Sequence, residues 1–535
     1  MKRKIAMVMA AMLAATGGLA GCSSAATSNE SAVPAQTEET AASEASADLP
    51  EDLKNLDMSD HVTLEFAMEW QVDNTDREMV VDKINEYIAD KLNCDIDITM
   101  CDFTRYPMIV NSGEEVDMIW AASWLNVFDY AKQGGFQDVK ELMENKFPNL
   151  LDTVYSKDDW DRISVDDGYY IIPGHNTDLW SSNSQWGIVW RDDLRKELGC
   201  EPITDWETME AYAEAVKAAY PEVYPWHENV NGGLWHSMLE KYHIYTEYGY
   251  GTNTLYLDLD TLETGNFTSL DSVKEYATTI RRWVENGYVQ PDIASNTDDA
   301  VESFISGKYA GSTDAYISSF YSQYLPRAQE AHPDWDVRFM SYGEMFGLSI
   351  DKSVAMTCAA IPMNSKNAER TLAFIELMLT DDYLYDLVNY GVEGVHYEID
   401  PETGYYKSLQ GNNVTYANGN NFGSIFINYD AVIPSEQSIL GEKYKAEKLD
   451  PVKVDNFWAD FQYDASSYDE YVSSTSAAMD QYWTPILTGA YADVDAALEE
   501  ATKQMEAAGV LEIQKALEPQ WEAYVQEKGI TGLGK

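Results

Sequence analysis

Between Val62 and Trp120 the hydrophobic period of the chain changes back and forth, and this alternation restricts the fold more than any other feature. Val62-Thr63-Leu64-Glu65-Phe66-Ala67-Met68 alternates with the period of a strand. Residues 77–92 then place Val80, Ile84, Tyr87, Ile88 and Leu92 on one helical face. Residues 96–100 alternate again, and 116–120, after Ser112-Gly113-Glu114-Glu115, read as a third, buried strand. Strand, helix, strand, loop and strand in that order begin an open α/β sheet. Such sheets bind ligands beyond the carboxyl ends of their strands. Trp70 and Trp120 stand at those ends, and Trp124 lies just past one.

What precedes this pattern is not built to fold. Lys2, Arg3 and Lys4 are followed by a short apolar run over residues 5–15, and then by Leu19-Ala20-Gly21-Cys22. The run is too short for a membrane span and reads as a secretory signal. A cysteine directly after small residues resembles a bacterial lipobox, in which cleavage after residue 21 leaves Cys22 to carry a lipid. Residues 22–59 are expected to be a tether, because their early part is almost all Ser, Ala, Thr and Glu. A flexible chain of that length spans about 35 Å root-mean-square. The folded body would therefore sit outside the cell, close to the membrane that anchors it.

The formal charge of −55 shapes the choice of partners. Such a surface repels nucleic acid and other polyanions at long range and favours neutral or cationic small molecules. Five cysteines are present. With Cys22 lipidated, Cys94, Cys101, Cys200 and Cys358 are expected as free thiols, since a body this large needs no staples. The 36 Tyr and 15 Trp outweigh 15 Phe, so the aromatic excess lies in rings with a polar handle. Such rings suit half-wet surfaces, and sugars present both C–H faces to stack on and hydroxyls to satisfy.

Further along, 168–173 read as a strand stopped by Pro173, and 187–190 as a strand opening a helix at Arg191-Asp192. Thr204-Asp205-Trp206-Glu207 reads as a capping box for a helix ending before Pro221. Helices are expected at 271–286 with Gly287 at the end, at 300–306, at 368–378, and at 493–508 and 511–526 around Gly509. Glu263-Thr264-Gly265 and the 400–404 stretch read as hairpin turns. Trp190, Trp206 and Trp283 lie inside elements and are read as core; Arg191 and Asp192 are read as a structural pair.

The order of these motifs resembles the family 1 extracellular solute-binding lipoproteins of bacterial ABC importers, in the large branch with extra C-terminal helices. The residues that carry the resemblance are 112–119, 168–173, Arg191-Asp192, Thr204-Asp205-Trp206, Gly307-Lys308-Tyr309-Ala310 and Asn364-Ser365-Lys366-Asn367. Tyr390-Gly391-Val392-Glu393-Gly394-Val395-His396-Tyr397 is the most branch-specific piece. The resemblance implies an α/β, periplasmic-binding-protein-like fold of two hinge-linked lobes that close on a ligand. Lobe one would take 60–172 and 345–400; lobe two would take 173–344 and 401–535 with the C-terminal helices. It also implies delivery of the ligand, most often an oligosaccharide, to the transmembrane subunits of a permease, by a monomer that needs no cofactor.

Three classes of function compete: a binding protein, a surface glycoside hydrolase, and a sensory or adhesive lipoprotein. A hydrolase would need two carboxylates flanking a bond, and with 91 acidic residues such pairs are unavoidable and decide nothing. There is no His-Glu-x-x-His, no Gly-x-Ser-x-Gly and no Walker loop, so no catalytic residue and no metal ligand is assigned. A binding protein is the expectation, with a neutral oligosaccharide as cargo and peptides as the alternative. The expected ligand contacts are Trp70, Trp120, Trp124, Trp180, Trp186, Trp235, Asp314 and Tyr316, the last two because they follow the Gly307 turn where relatives contact ligand.

Overall fold

The structure is a computed structural model. It describes residues 49–68, 74–102, 105–175, 185–230, 232–246, 254–350, 353–411, 414–417, 425–458 and 461–534, without the side chains of Trp124 and Asp469. Nine strands organise the two lobes. In chain order they are β1 (Val62–Met68), β2 (Cys94–Met100), β3 (Met118–Ala121), β4 (Trp186–Arg191), β5 (Gly311–Tyr316), β6 (Val337–Ser341), β7 (Ser349–Ile350), β8 (Cys358–Ala360) and β9 (Lys453–Val454). The helices that pack on them include α1 (Arg77–Leu92), α2 (Trp206–Ala219), α3 (Gly233–Tyr242), α4 (Asp271–Asn286), α5 (Ala368–Thr380), α6 (Val494–Ala508) and α7 (Val510–Lys528).

The first lobe is the α/β unit that the alternating pattern predicts. β1 pairs in parallel with β2 along its whole length and with β3 at Phe66 and Ala67, while β8 closes the sheet antiparallel to β3. The sheet order is β8-β3-β1-β2. α1 crosses between β1 and β2 and buries Val80, Ile84, Ile88 and Leu92, the face expected from their spacing. α5 adds Phe374, whose ring lies 5.2 Å from Phe66. The segment 168–173 does not become a strand. It makes isolated bridges at Gly168 and Ile172 only, because its one partner in the sheet, β8, is three residues long.

The second lobe is built on a three-stranded antiparallel sheet with β4 in the centre, flanked by β5 and β6. One face carries Ile188 and Trp190 into a core shared with Trp206, Trp226 and Trp283. The other carries Val189, Ala315 and Val337 against Phe304, Phe320 and Tyr324. α2 starts at Asp205, one residue later than the expected cap. Its carboxylate accepts from Thr208 N–H at 2.8 Å, and the Thr208 hydroxyl accepts from Asp205 N–H at 3.0 Å. α4 spans the expected residues, and Gly287 closes it with φ +68°. The hairpin expected at 400–404 forms, Tyr397–Ile399 with Tyr406–Ser408; Leu255–Asp258 also pairs with Thr264–Asn266, but the chain turns at 259–263, so Thr264 and Gly265 stand in the strand and not in the turn. Arg191 pairs with Asp193, whereas Asp192 pairs with Arg195 and Lys196, since a helix start turns neighbouring side chains apart. Cys94, Cys101 and Cys358 are buried free thiols, and Cys200 is a half-buried one.

The two main cores share no residue. α6 and α7 belong to the second through Leu498, Met505, Ile513, Leu517 and Trp521. Tyr416, Ile425 and Phe426 pack in the first core, although the expected division gave 401–535 to the second lobe. Leu49 and Leu53 also pack there, and Asp52 accepts from Asn149 N–H at 2.6 Å, so the last part of the expected tether lies on the first lobe. These apolar residues are distant in sequence from the cores they join, which is why spacing alone did not place them.

Three passages carry the chain from core to core, after Ile172, after Ile350 and after Phe426. Residues at their ends pair with one another. β7 lies parallel to β9 through Ser349↔Lys453 and Ile350↔Val454, and His175 N–H donates to Ile425 O at 2.6 Å. These paired passages are the hinge of the fold.

Two backbone features give tests. A Cβ at Gly187 would stand 2.1 Å from Met340 O across the β4–β6 pair. Gly187→Ala is therefore expected to cost about 1–3 kcal/mol, the usual range for overpacking, read as a lower urea midpoint. His227 is 2% exposed and bridges to Ser312 beside β5. Burial pushes its imidazole down to about 4 from 6.5. The unfolded chain therefore binds the proton first as pH falls, and stability is lost from pH 6.5 down to about 4, by about 3 kcal/mol. His227→Gln should remove that part of the slope in a series of melting curves across this range.

Candidate functional site

The carboxyl ends of β1 and β3 in the first lobe, at Met68 and Ala121, run into the segments where Trp70 and Trp124 were expected to line a cleft. Trp70 and Trp180 lie outside the described residues, as does Cys22, and so does the Trp124 side chain. Trp120 is 2% exposed: its indole N–H donates to Cys101 O at 3.4 Å, and its ring lies 6.1 Å from Tyr106. Trp235 is 9% exposed and packs within 4.8–5.6 Å of Trp483, Tyr276 and Phe267. In this arrangement both rings are packed on all sides by the chain, so neither offers a free face.

The three remaining expected residues come together. Antiparallel pairing sets the first residue of β4 opposite the last of β5, so Trp186 faces Tyr316. The rings meet edge to face at 5.0 Å, and the His236 ring stands 3.8 Å from Trp186 on another side. Two residues back on the same strand as Tyr316, Asp314 accepts a hydrogen bond from the Asn229 amide. Burial raises the Asp314 carboxyl above its ordinary range, and the Asn229 bond partly offsets this. Asn229, His236, Asp314 and Tyr316 are half-buried. Trp186 itself is 7% exposed and packs in the second core, so the corner presents the half-buried rings of Tyr316 and His236 beside amide and carboxylate groups, which suits a ligand carrying hydroxyls on an apolar frame.

The support beneath this corner was not read from the sequence. Glu228 is 1% exposed. One of its oxygens accepts from Gly233 N–H at 2.7 Å and Asn229 N–H at 3.2 Å; the other accepts from Leu234 N–H at 3.0 Å and the Thr313 hydroxyl at 2.7 Å. The carboxylate thus satisfies the open donors at the start of α3 and ties them to β5. Burial still pushes its carboxyl up to about 7. Gly233 permits the approach, because a Cβ there would meet Thr313 O at 2.1 Å. The one sequence signal was the turn-rich string Asn229-Val230-Asn231-Gly232-Gly233 following a glutamate. The chain itself fills the acceptor sites of Glu228. Among the described residues no group of three or more His, Cys, Asp or Glu could hold a metal ion, and no helix is long and apolar enough to cross a membrane.

Comparison with known proteins follows the same geometry. A carbohydrate ABC transporter substrate-binding protein of Streptococcus pneumoniae is 22% identical over 467 residues, covering 83% of this chain and 87% of the relative. The crystal structure of the N-glycan transport solute-binding protein of Streptococcus pneumoniae superposes with a TM-score of 0.67 at 20% identity, over 88% of this chain and all of that one. An alginate-binding protein superposes with a TM-score of 0.64 at 16% identity, over 87% of this chain and 99% of that one. These similarities show the two-lobed, periplasmic-binding-protein-like fold. Residues 458–526 match a domain of unknown function. Residues 110–395, more than half of the sequence, match the bacterial extracellular solute-binding proteins, and the chain belongs to that family.

Proposed function

We propose that the protein is the substrate-binding component of an ABC importer, that it captures an oligosaccharide between its lobes, and that it hands this ligand to the transmembrane subunits of a permease. The observation that carries the reading is the Trp186–Tyr316 pair at the end of the second-lobe sheet, beside the Asp314–Asn229 hydrogen bond. It offers ring surfaces and hydroxyl partners in one place. The names of the similar proteins, a carbohydrate transporter component and an N-glycan transport protein, support the same class of ligand. A neutral glycan is favoured because a chain of formal charge −55 repels acidic sugars at long range. The first lobe would comprise 49–172 and 355–400 together with 414–417 and 425–426, and the second 186–350 with the C-terminal helices. The reading is binding and not cleavage: the corner carboxylate Asp314 is engaged by Asn229, and Glu228 behind it has its acceptor sites filled from within.

The ligand contacts in this reading are Trp70, Trp124, Trp180, Asp314 and Tyr316, joined by Asn229 and His236. Trp120, Trp186 and Trp235, all buried, back them from the two cores. Tyr316→Ala and Trp70→Ala should each weaken binding of a mannose–N-acetylglucosamine oligosaccharide by about 1–3 kcal/mol, roughly five- to 150-fold in Kd. Calorimetry checks this, with melting curves to confirm folding. If both variants fold and bind like the wild type, the corner is misplaced; tighter binding of an alginate oligomer would overturn the charge argument instead.

The lipid anchor is part of the same proposal. It is supported by the basic, apolar and small-residue order that ends at Cys22. Cys22→Ala should move the protein from the membrane to the soluble fraction while leaving glycan affinity unchanged. Retention of the variant on membranes would refute the lipid attachment.

A further inference from the structure

The C-terminal region matches a domain of unknown function, and the ligand reading above makes no use of it. Its helices α6 and α7 are packed on the second core. The segment 461–466 that precedes them is placed differently. From one side α7 pins it: the Gln520 side chain accepts from Asp464 N–H at 2.6 Å and donates to Asp464 O at 3.1 Å, and the Phe461 ring meets Trp521 edge-on at 5.2 Å. From its other side the segment reaches the first lobe. Gln462 Nε2 donates to Ser164 O, and Lys132 Nζ donates to Tyr463 O. Lys132 ends the helix Val127–Lys132, whose Val127 and Phe128 lie in the first core, and Ser164 sits between the first-core residues Ile163 and Val165. Both bonds therefore run from lobe to lobe, and each lobe supplies one donor and one acceptor.

The junction is not a packed core. A cavity of about 640 Å³ lies on one side, lined by Asp161, Arg162, Asn456, Phe457, Gln462 and Lys528 among others. A second of about 340 Å³ lies on the other, lined by Asn126, Asp129, Lys132, Asp464 and Ser466 among others. The Gln462–Ser164 and Lys132–Tyr463 hydrogen bonds, each from a side chain to a main-chain carbonyl and set between polar cavities, are of the kind that lobes make and break. The hinge passages, by contrast, are joined by main-chain ladders.

We infer that segment 461–466 is an interaction surface whose partner is the first lobe at Lys132 and Ser164, and that through it the C-terminal region clasps the two lobes together. Because both acceptors are main-chain carbonyls, the Lys132 and Gln462 side chains carry the contact, and Gln520 holds the segment where they can make it. Ligand between the lobes then meets a closed state already favoured by contacts it does not itself supply.

The test uses the secreted chain from residue 22 on, with Cys22→Ala, without ligand, in small-angle scattering. Lys132→Met/Gln462→Ala is expected to have a larger radius of gyration than the parent, and Gln520→Ala to shift in the same direction. Lys503→Met, which removes an exposed charge from α6, should leave the radius unchanged, and all four proteins should keep their melting temperatures. A radius unchanged in both the double variant and Gln520→Ala overturns the clasp. A second arm, which alone rests on the glycan reading, measures affinity for Man5GlcNAc. The double variant should bind roughly three- to tenfold more weakly, as expected for losing about one net hydrogen bond of closing energy. If the parent does not bind Man5GlcNAc yet the radii differ, the glycan reading falls and the clasp stands. If the parent binds and neither radius nor affinity responds, the clasp falls and the glycan reading stands.

Discussion

The chain passes between two hydrophobic cores that share no residue, and each passage must leave apolar surroundings with its backbone groups still paired. The pairing comes from the passages themselves. Ser349 and Ile350 lie along Lys453 and Val454, and His175 exchanges main-chain hydrogen bonds with Ile425 and Ile427. Segments from three distant parts of the sequence thus satisfy one another where the cores end, at Ile350 of the second and Ile425 of the first. Each lobe can pack as densely as its own side chains allow, and relative movement of the lobes bends the passages without opening a core. The two-lobed form of a solute-binding protein depends on this separation.

Within the second lobe, fixed geometry is concentrated where β5 meets the start of α3. Glu228 joins them by accepting four hydrogen bonds, and Gly233 lets the helix come against Thr313 with no side chain between. Tyr342 adds a bond from its hydroxyl to Thr313 O at 2.7 Å. Asp314 and Tyr316 follow directly on that strand, and His236 directly on that helix. A binding corner whose polar groups are held before ligand arrives loses less side-chain freedom on binding. Burying a carboxylate is costly unless its acceptors are filled, and here the chain fills them.

The C-terminal helices extend the second core and carry segment 461–466 toward the first lobe. They are joined to the rest of the lobe by rings: Trp483 lies 4.8 Å from Trp235 and 4.7 Å from Phe267, and Trp521 donates from its indole N–H to Leu262 O at 3.1 Å. Trp235, which the sequence suggested as a ligand contact, is thereby part of the seam that joins this region to α3. A ring with other rings around it gains more from that packing than from an exposed face.

Local pattern alone determined much of this protein. The period of residues 77–92 fixed α1 and its buried face, Gly287 marked the end of α4, and the turn residues at 400–404 marked one hairpin, because those signals act between residues a few positions apart. The order of such elements was enough to indicate the family. Contacts across the sequence decided the rest. Trp120 and Trp186 were both expected to touch ligand, yet Trp120 is sealed beside Tyr106 and Trp186, 7% exposed, packs in the second core beneath Tyr316 and His236. The assignment of Tyr416 and Phe426 to the first core, the pairing of Arg191 with Asp193, and the buried role of Glu228 likewise depend on partners tens to hundreds of residues away or on the turn of a helix start. A residue's type and spacing determine which surfaces it can cover. Which surface it does cover is settled only when the whole chain has packed, since burial and hydrogen-bond partners belong to the assembled lobes.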